Sequence, residues 1–369
     1  MYKYAQIVEP GKIELCEEEE PKLEKGEIRF DVKAVGICGT DAHLVFDKEP
    51  FREMQPLPYP FRFGHEVLAV ITEFGEGAPR KDTFGEPIKE GDRVVFYGGS
   101  GECGRCYACR VMLQPRFCLN RGHGMGSGFA EKGVIPANSY IYRVSDEIPD
   151  EVAVLTEPMA VACISLEKSL YSSVPDKAMG FGPGKTVAII GDGIIGVLLT
   201  VMSRICGAGK IILIGENENR LKLAKECGAS VVLNREDFSS LEEKIEHVNK
   251  LTPHNMGPDV VFEAVGSPDV FVEAVKLVRI GGLLMEIGHW TYRGTVDFNP
   301  TLLCQKQIEL RGLLGYSGME FGTVQNLFNV YQDKYPFKKL VTHTFPLEKI
   351  QEALELAKTH QCMKGVIKP

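Results

Sequence analysis

Residues 186–196 read TVAIIGDGIIG, and the helical pattern IIGVLLTVMSRICG carries on from Ile194. Gly191, Gly193 and Gly196 stand in G-x-G-x-x-G spacing, a weak signal alone. Here it follows an apolar β-branched strand and opens a helix, which gives the spacing its meaning. Gly191 permits a tight turn, Gly193 lets the backbone approach a pyrophosphate, and Gly196 lets helix and sheet pack closely. The unpaired N–H groups at the helix start then face the phosphates with the positive end of the helix dipole. The stretch predicts a dinucleotide site.

Outward from this turn the same texture repeats. KIILIG (210–215), SVVL (230–233), DVVFEAV (259–265) and LLMEIG (283–288) alternate with helical runs such as NRLKLAKECGA and SLEEKIEHVNKL. Near-continuous apolar strands separated by amphipathic helices predict a parallel sheet covered on both faces, hence an α/β class. Residues 1–155 are different. Short β-like runs (EIRFDVKAV, EVLAVITEF, DRVVFYG) are punctuated by Gly and Pro, as in an irregular β-rich domain. A helix is expected to begin near Glu157. The tail adds a strand, QIELRG, and a helix around PLEKIQEALELAKTH.

With 369 residues the chain has room for two cores. Net charge is −8, which gives no electrostatic footprint for nucleic acid or an anionic membrane. The N-terminus lacks the apolar core of a secretory signal, and IIGVLLTVM (194–202) is far short of the ~20 residues of a membrane span. A cytoplasmic location is the expectation. Eleven cysteines, seven of them scattered, argue for reduced thiols rather than a disulfide framework.

The other four cysteines crowd into GECGRCYACRVMLQPRFC (101–118) as C-x2-C-x2-C-x8-C. Cys103, Cys106, Cys109 and Cys118 can close a tetrahedron around Zn²⁺ and leave no open position. A closed site pins a loop and cannot activate a substrate, so chemistry requires a second, open site. GICGTDAH supplies Cys38, Thr40, Asp41 and His43, FGHEV supplies His65 and Glu66, and LTEPMAVA supplies Glu157. Cys38, His65, Glu66 and Glu157 are the ligand types of a catalytic Zn²⁺.

In their order, GICGTDAH, GHE, the four-cysteine lobe, EP and GDGIIG resemble the zinc-containing medium-chain dehydrogenases, which include alcohol, sorbitol, threonine and glucose dehydrogenases. The resemblance spans essentially the whole chain, with a last cysteine spacing one residue longer than usual. It implies a GroES-like β-rich catalytic domain with a structural zinc lobe (1–155), a Rossmann doubly wound parallel sheet (156–305) and a C-terminal return to the catalytic domain (306–369). Cys38, His65 and Glu157 match the family's catalytic zinc ligands, with Glu66 or a water in fourth place. Cys103, Cys106, Cys109 and Cys118 match its structural zinc lobe. Thr40 is similar to the relay hydroxyl and His43 to the residue that passes the proton on. Gly191, Gly193, Ile194, Ile195, Gly196, Glu216, Arg220, Val265 and Gly288 fall at cofactor positions.

The cofactor is expected to be NAD, with NADP possible. NAD-using relatives usually carry Asp where this chain has Gly215, and a glycine there resembles NADP-using members, which normally follow it with basic residues. Glu216 and Glu218 follow and would repel a 2′-phosphate, Glu216 could accept from ribose hydroxyls, and Arg220 could bind a phosphate. A carboxylate at 157, where simple alcohol dehydrogenases place cysteine, resembles the polyol, threonine and sugar branch. The expected substrate is a small polyol or sugar, the alternative an amino or anionic hydroxy compound. Arg52, Arg62, Arg116, Arg121 and His123 leave room for an anionic tail. Similar enzymes are homodimers or homotetramers.

Overall fold

The computed structural model of the chain describes residues 1–47, 59–97, 103–112, 117–120, 127–170 and 180–369. It divides into two compact units, Met1–Ala160 with Gly315–Pro369, and Val161–Leu314.

The first unit is β-rich. A seven-stranded sheet runs in the order Val341–Phe345, Lys364–Ile367, Ile28–Gly36, Glu66–Phe74, Arg93–Tyr97, Tyr140–Arg143, with Lys132–Ile135 also paired to Ile28–Gly36. A three-stranded sheet joins Lys12–Glu18, Tyr2–Glu9 and Phe61–Arg62. The runs expected at EIRFDVKAV, EVLAVITEF and DRVVFYG all form strands. Alternation places Ile28, Phe30 and Val32 inward, where they meet Phe63, Ile71, Val94 and Phe129 in one core. Each such side chain, fully buried, stabilises the unit by ~1.5–3 kcal/mol. The tail belongs to this core. The helix Ile350–Lys358 buries Ile350, Ala353 and Leu354 in it, and Val366 and Ile367 pair antiparallel with Gly36 and Val35.

The second unit is a six-stranded, all-parallel sheet. Its order is Val231–Asn234, Lys210–Gly215, Thr186–Ile190, Val260–Glu263, Leu283–Glu286, Glu309–Gly312. Numbered within the unit this is 3-2-1-4-5-6, the doubly wound dinucleotide-binding order with its switch point beside the first strand. Thr186–Ile190 is buried at every residue, as a central parallel strand covered on both faces must be. Part of the tail behaves differently from its sequence reading: QIELRG supplies the edge strand of this sheet, so the chain re-enters the first unit at Gly315. Among the described residues no helix is long and apolar enough to cross a membrane.

Candidate functional site

In the first unit Cys38 precedes the helix Gly39–Phe46 and His65 precedes the strand Glu66–Phe74. Ligand atoms of Cys38, His65 and Glu66 lie within 4.8 Å of one another. Glu157, in the first turn of Thr156–Leu170, brings Oε1 to 3.8 Å from His65 Nε2. The four residues named from the sequence therefore converge. Asp41 orients them: one carboxylate oxygen accepts from the Cys38 N–H at 2.9 Å, and the other stands 3.5 Å from His65 Nδ1. Facing Asp41 through Nδ1 leaves Nε2 for a metal, the carboxylate–histidine arrangement that fixes a ligand ring.

The electrostatics favour a cation here. Burial alone would lower the His65 pKa, but the Asp41 carboxylate, with Cys38 and Glu157, holds it well above its ordinary value. The field that retains a proton on His65 would equally attract a divalent cation, and thiolate, imidazole and carboxylate donors suit Zn²⁺. Glu66 is differently placed. Both of its oxygens take hydrogen bonds from Lys364 Nζ at 2.7 Å, and both side chains are only 1% exposed. Burial pushes the Glu66 carboxyl up and Lys364 pulls it back, to about 7. Glu66 is within reach of the metal position with its charge already balanced. Glu157 is fixed instead by Tyr316, whose hydroxyl donates to Oε1 at 2.6 Å. Tyr316 in turn stacks on Phe321 and meets Tyr97 edge-on. Thr40 and His43 lie one turn apart on Gly39–Phe46, with His43 Nδ1 2.7 Å from Asp47 Oδ2.

Cys103, Cys106, Cys109 and Cys118 form a second group in the same unit. The Cys106–Cys109, Cys106–Cys118 and Cys103–Cys118 sulfurs are 3.5, 3.8 and 3.5 Å apart. The edge of a tetrahedron with ~2.3 Å Zn–S bonds is about 3.8 Å, so the thiols stand at ligand spacing and far from disulfide distance. The longer final spacing still delivers Cys118. Hydrogen bonds from the Asn120 amide and from nearby backbone N–H groups bring the Cys103 thiol down to about 6, toward the thiolate that binds metal.

In the second unit the glycine turn has the geometry its residues require. Gly191 has φ 119°, and a Cβ on Gly196 would lie 1.9 Å from the Gly191 carbonyl oxygen. A Cβ on Gly193 would enter open space ahead of the helix Ile194–Ile205, which starts there with no side-chain cap. That open cradle fits a dinucleotide pyrophosphate. Ile194 and Ile195 are half-buried in the first turn. Glu216 Oε1 pairs with Arg235 at 2.9 Å and Arg220 with Asp192 at 3.7 Å. Val265 donates its N–H to Glu263 and accepts from Arg293, while Gly288 packs on Gly266 and Glu263.

Glu263 is buried at the strand end, and burial, then Glu286 beside it, raises its carboxyl to about 8. The native unit thus holds a proton that the unfolded chain releases from about pH 4.5, and stability falls as pH rises between the two values. Glu263→Gln keeps an oxygen to accept from Val265 and Gly266 N–H and removes the charge. Thermal melts should show a stabilisation several degrees larger at pH 9 than at pH 5. Equal gains at both pH values would refute this account.

Sequence reasoning did not single out Lys364, Tyr316 or Asp192. Of the arginines weighed as an anion site, Arg62 is tied to Glu18 and Tyr2 and lies over the Tyr4 ring. Arg52, Arg116, Arg121 and His123 lie outside the described residues.

Comparison with known proteins agrees across the chain. The alcohol dehydrogenase GroES-like domain matches residues 24–146, and the zinc-binding dehydrogenase domain matches residues 195–330. An L-threonine 3-dehydrogenase of Bacillus licheniformis is 28% identical over 357 residues, 95% of this chain and 93% of the relative. An alcohol dehydrogenase structure from Thermotoga maritima gives a TM-score of 0.86 at 28% identity, covering 100% of this chain and 99% of that one. The 2R,3R-butanediol dehydrogenase of Bacillus subtilis gives 0.81 at 26% identity, covering both chains fully. Two matching domains and the two cysteine-containing metal-competent groups of the first unit lead to one conclusion: the chain belongs to the zinc-binding medium-chain dehydrogenases and is a zinc-dependent, NAD(P)-linked oxidoreductase of the alcohol dehydrogenase family.

Proposed function

We propose that the enzyme oxidises one hydroxyl of a small polyol or sugar-like compound with NAD. The observation that carries this reading is Glu157, a carboxylate 3.8 Å from His65 Nε2 and held in place by the Tyr316 hydroxyl. A carboxylate makes the metal position harder and more hydrated than a second thiolate would, which suits a substrate bearing two neighbouring oxygens. Zinc held by Cys38, His65 and Glu157, with Glu66 in reach, would supply Lewis-acid polarisation of a hydroxyl, and a bound nicotinamide would accept hydride. The chain's own residues handle the proton. Thr40 Oγ1, two residues past Cys38, would accept it from the substrate hydroxyl while giving up its own proton, and His43, its imidazole steadied by Asp47, would release a proton to solvent.

Threonine and 2,3-butanediol, named by the relatives' activities, each carry a second polar group beside the reacting hydroxyl. That chemistry supports the same reading. The amino alcohol is the second candidate, because an ammonium could pair with Glu157. Initial rates with NAD and NADP over ethanol, butanol, benzyl alcohol, vicinal diols, polyols, sugars and L-threonine test both. Diols, polyols or sugars should exceed every simple alcohol in kcat/KM by at least about tenfold, roughly the worth of one extra hydrogen bond to a charged group. Higher turnover of the simple alcohols would end the polyol proposal, and a clear lead for threonine would select the second.

A further inference from the structure

In a doubly wound sheet the acid that grips the adenosine ribose stands at the end of the second strand, about 20 residues past the glycine turn. This chain has glycine there, at Gly215. The carboxylate comes from elsewhere. Asp192, between Gly191 and Gly193, turns its side chain to the end of the second strand, and Oδ2 accepts from the Glu216 and Asn217 N–H groups at 2.9 and 2.8 Å. A Cβ built on Gly215 would fall 2.5–2.6 Å from Asp192 Cβ, Cγ and Oδ2. The aspartate occupies the volume that a side chain at 215 would need. Gly215 and Asp192 are two halves of one arrangement.

We infer that Asp192 is the ribose-binding, cofactor-discriminating residue of this enzyme, a carboxylate supplied from the glycine turn in place of one on the strand. The inference rests on the NAD(P)-linked reading of the second unit and decides between the two cofactors. Three features of the site disfavour a 2′-phosphate. Asp192 sets a negative charge at the ribose edge, which accepts from hydroxyls and repels a phosphate. The two strand-end N–H groups that could bind a phosphate are already donated to Asp192. The nearby cations are also committed, Arg220 to Asp192 at 3.7 Å and Arg235 to Glu216 at 2.9 Å. Glu218, the next acid, accepts from Asn234 Nδ2 at 2.8 Å and adds to the negative rim.

The test measures NADH and NADPH binding to the full zinc-loaded chain by calorimetry, so no substrate need be known. The variants are Asp192→Ala, Asp192→Asn, Gly215→Asp and the pair Asp192→Ala/Gly215→Asp. Wild type should bind NADH at least about tenfold more tightly than NADPH. Asp192→Ala should weaken NADH binding by about 10- to 100-fold, the worth of a hydrogen bond to a charged group, with little loss for NADPH. Asp192→Asn keeps the shape and should shift the ratio in the same direction. Gly215→Asp alone should weaken NADH binding, because its side chain meets Asp192. The double variant returns a carboxylate to the same place and should recover NADH binding to within about threefold. A wild-type preference for NADPH would overturn the inference. So would an unchanged ratio in Asp192→Ala and Asp192→Asn, or no recovery in the double variant, which would mark Asp192 as a structural support. Failure of wild type to bind either nucleotide would overturn the cofactor reading itself together with the inference.

Discussion

Cys38→Ser should abolish turnover and leave a folded chain. Cys38 stands with His65 and Glu66 in an open group that Glu157 joins through His65, and its backbone N–H is already satisfied by Asp41. Serine keeps that backbone bond and loses the thiolate. Loss of an outer partner of a metal ligand typically costs 10–100-fold, so loss of the ligand itself should lower kcat/KM by ~10³-fold or more. The melting temperature should move by only a few degrees. Cys106→Ser is the control with the opposite signature. It opens a closed four-thiolate group whose metal contributes folding energy outright, so the melting temperature should fall by about 10 °C while freshly prepared protein keeps most of its kcat. Metal analysis should show one zinc lost in each variant. Equal effects of the two substitutions on turnover and stability would mean that the groups do not divide the work as their geometry indicates.

The parts of this arrangement that were legible in the sequence are those whose information is local. The four cysteines declare themselves within 16 residues, and the glycine turn is read from the strand before it and the helix after it. Cys38, His65 and Glu157 are farther apart. Their residue types named a metal site, and resemblance joined them where spacing could not. What stayed hidden is what only the tertiary fold brings together. Tyr316 reaches Glu157 from 159 positions away, and Lys364 reaches Glu66 from 298 away. A tyrosine after a glycine and a lysine in a tail strand carry no local mark of such roles. Asp192 is the instructive case. Its position inside the motif was plain, but Gly215 read alone suggests a missing acid. Only the backbone path shows that the two positions share one volume. The edge strand Glu309–Gly312 was likewise visible as a strand, while its sheet was not, because a lone apolar run does not name its partners.

Lys364→Met should be the most destabilising single change near the site, and its cost should depend on pH. Lys364 lies on the last strand, Lys364–Ile367, with its ammonium fully buried between the Glu66 carboxylate and the Ile37 carbonyl oxygen at 2.9 Å. The Gly365 carbonyl also accepts from the Ile37 N–H at 2.9 Å. The tail thus holds both polar groups of the residue immediately before Cys38. Removing the ammonium leaves Glu66 buried without a counter-charge, a loss of ~3–5 kcal/mol, or about 10 °C in melting temperature. The pH sign follows from Glu66. Its carboxyl sits at about 7 with Lys364 lowering it, so without the lysine it climbs further. A raised carboxyl pKa means stability that is present in acid and lost as pH increases. The deficit of Lys364→Met should therefore be larger at pH 8.5 than at pH 6. The double variant Glu66→Met/Lys364→Met removes both charges at similar volume and should recover most of the stability, since an apolar pair often replaces a buried ion pair without net cost. It should not recover turnover fully, because Glu66 no longer stands within reach of the metal position and Ile37 still lacks the lysine that anchors the approach to Cys38. A pH-independent deficit, or no recovery in the double variant, would show that Lys364 stabilises the unit by packing alone and that the charge on Glu66 is not what it balances.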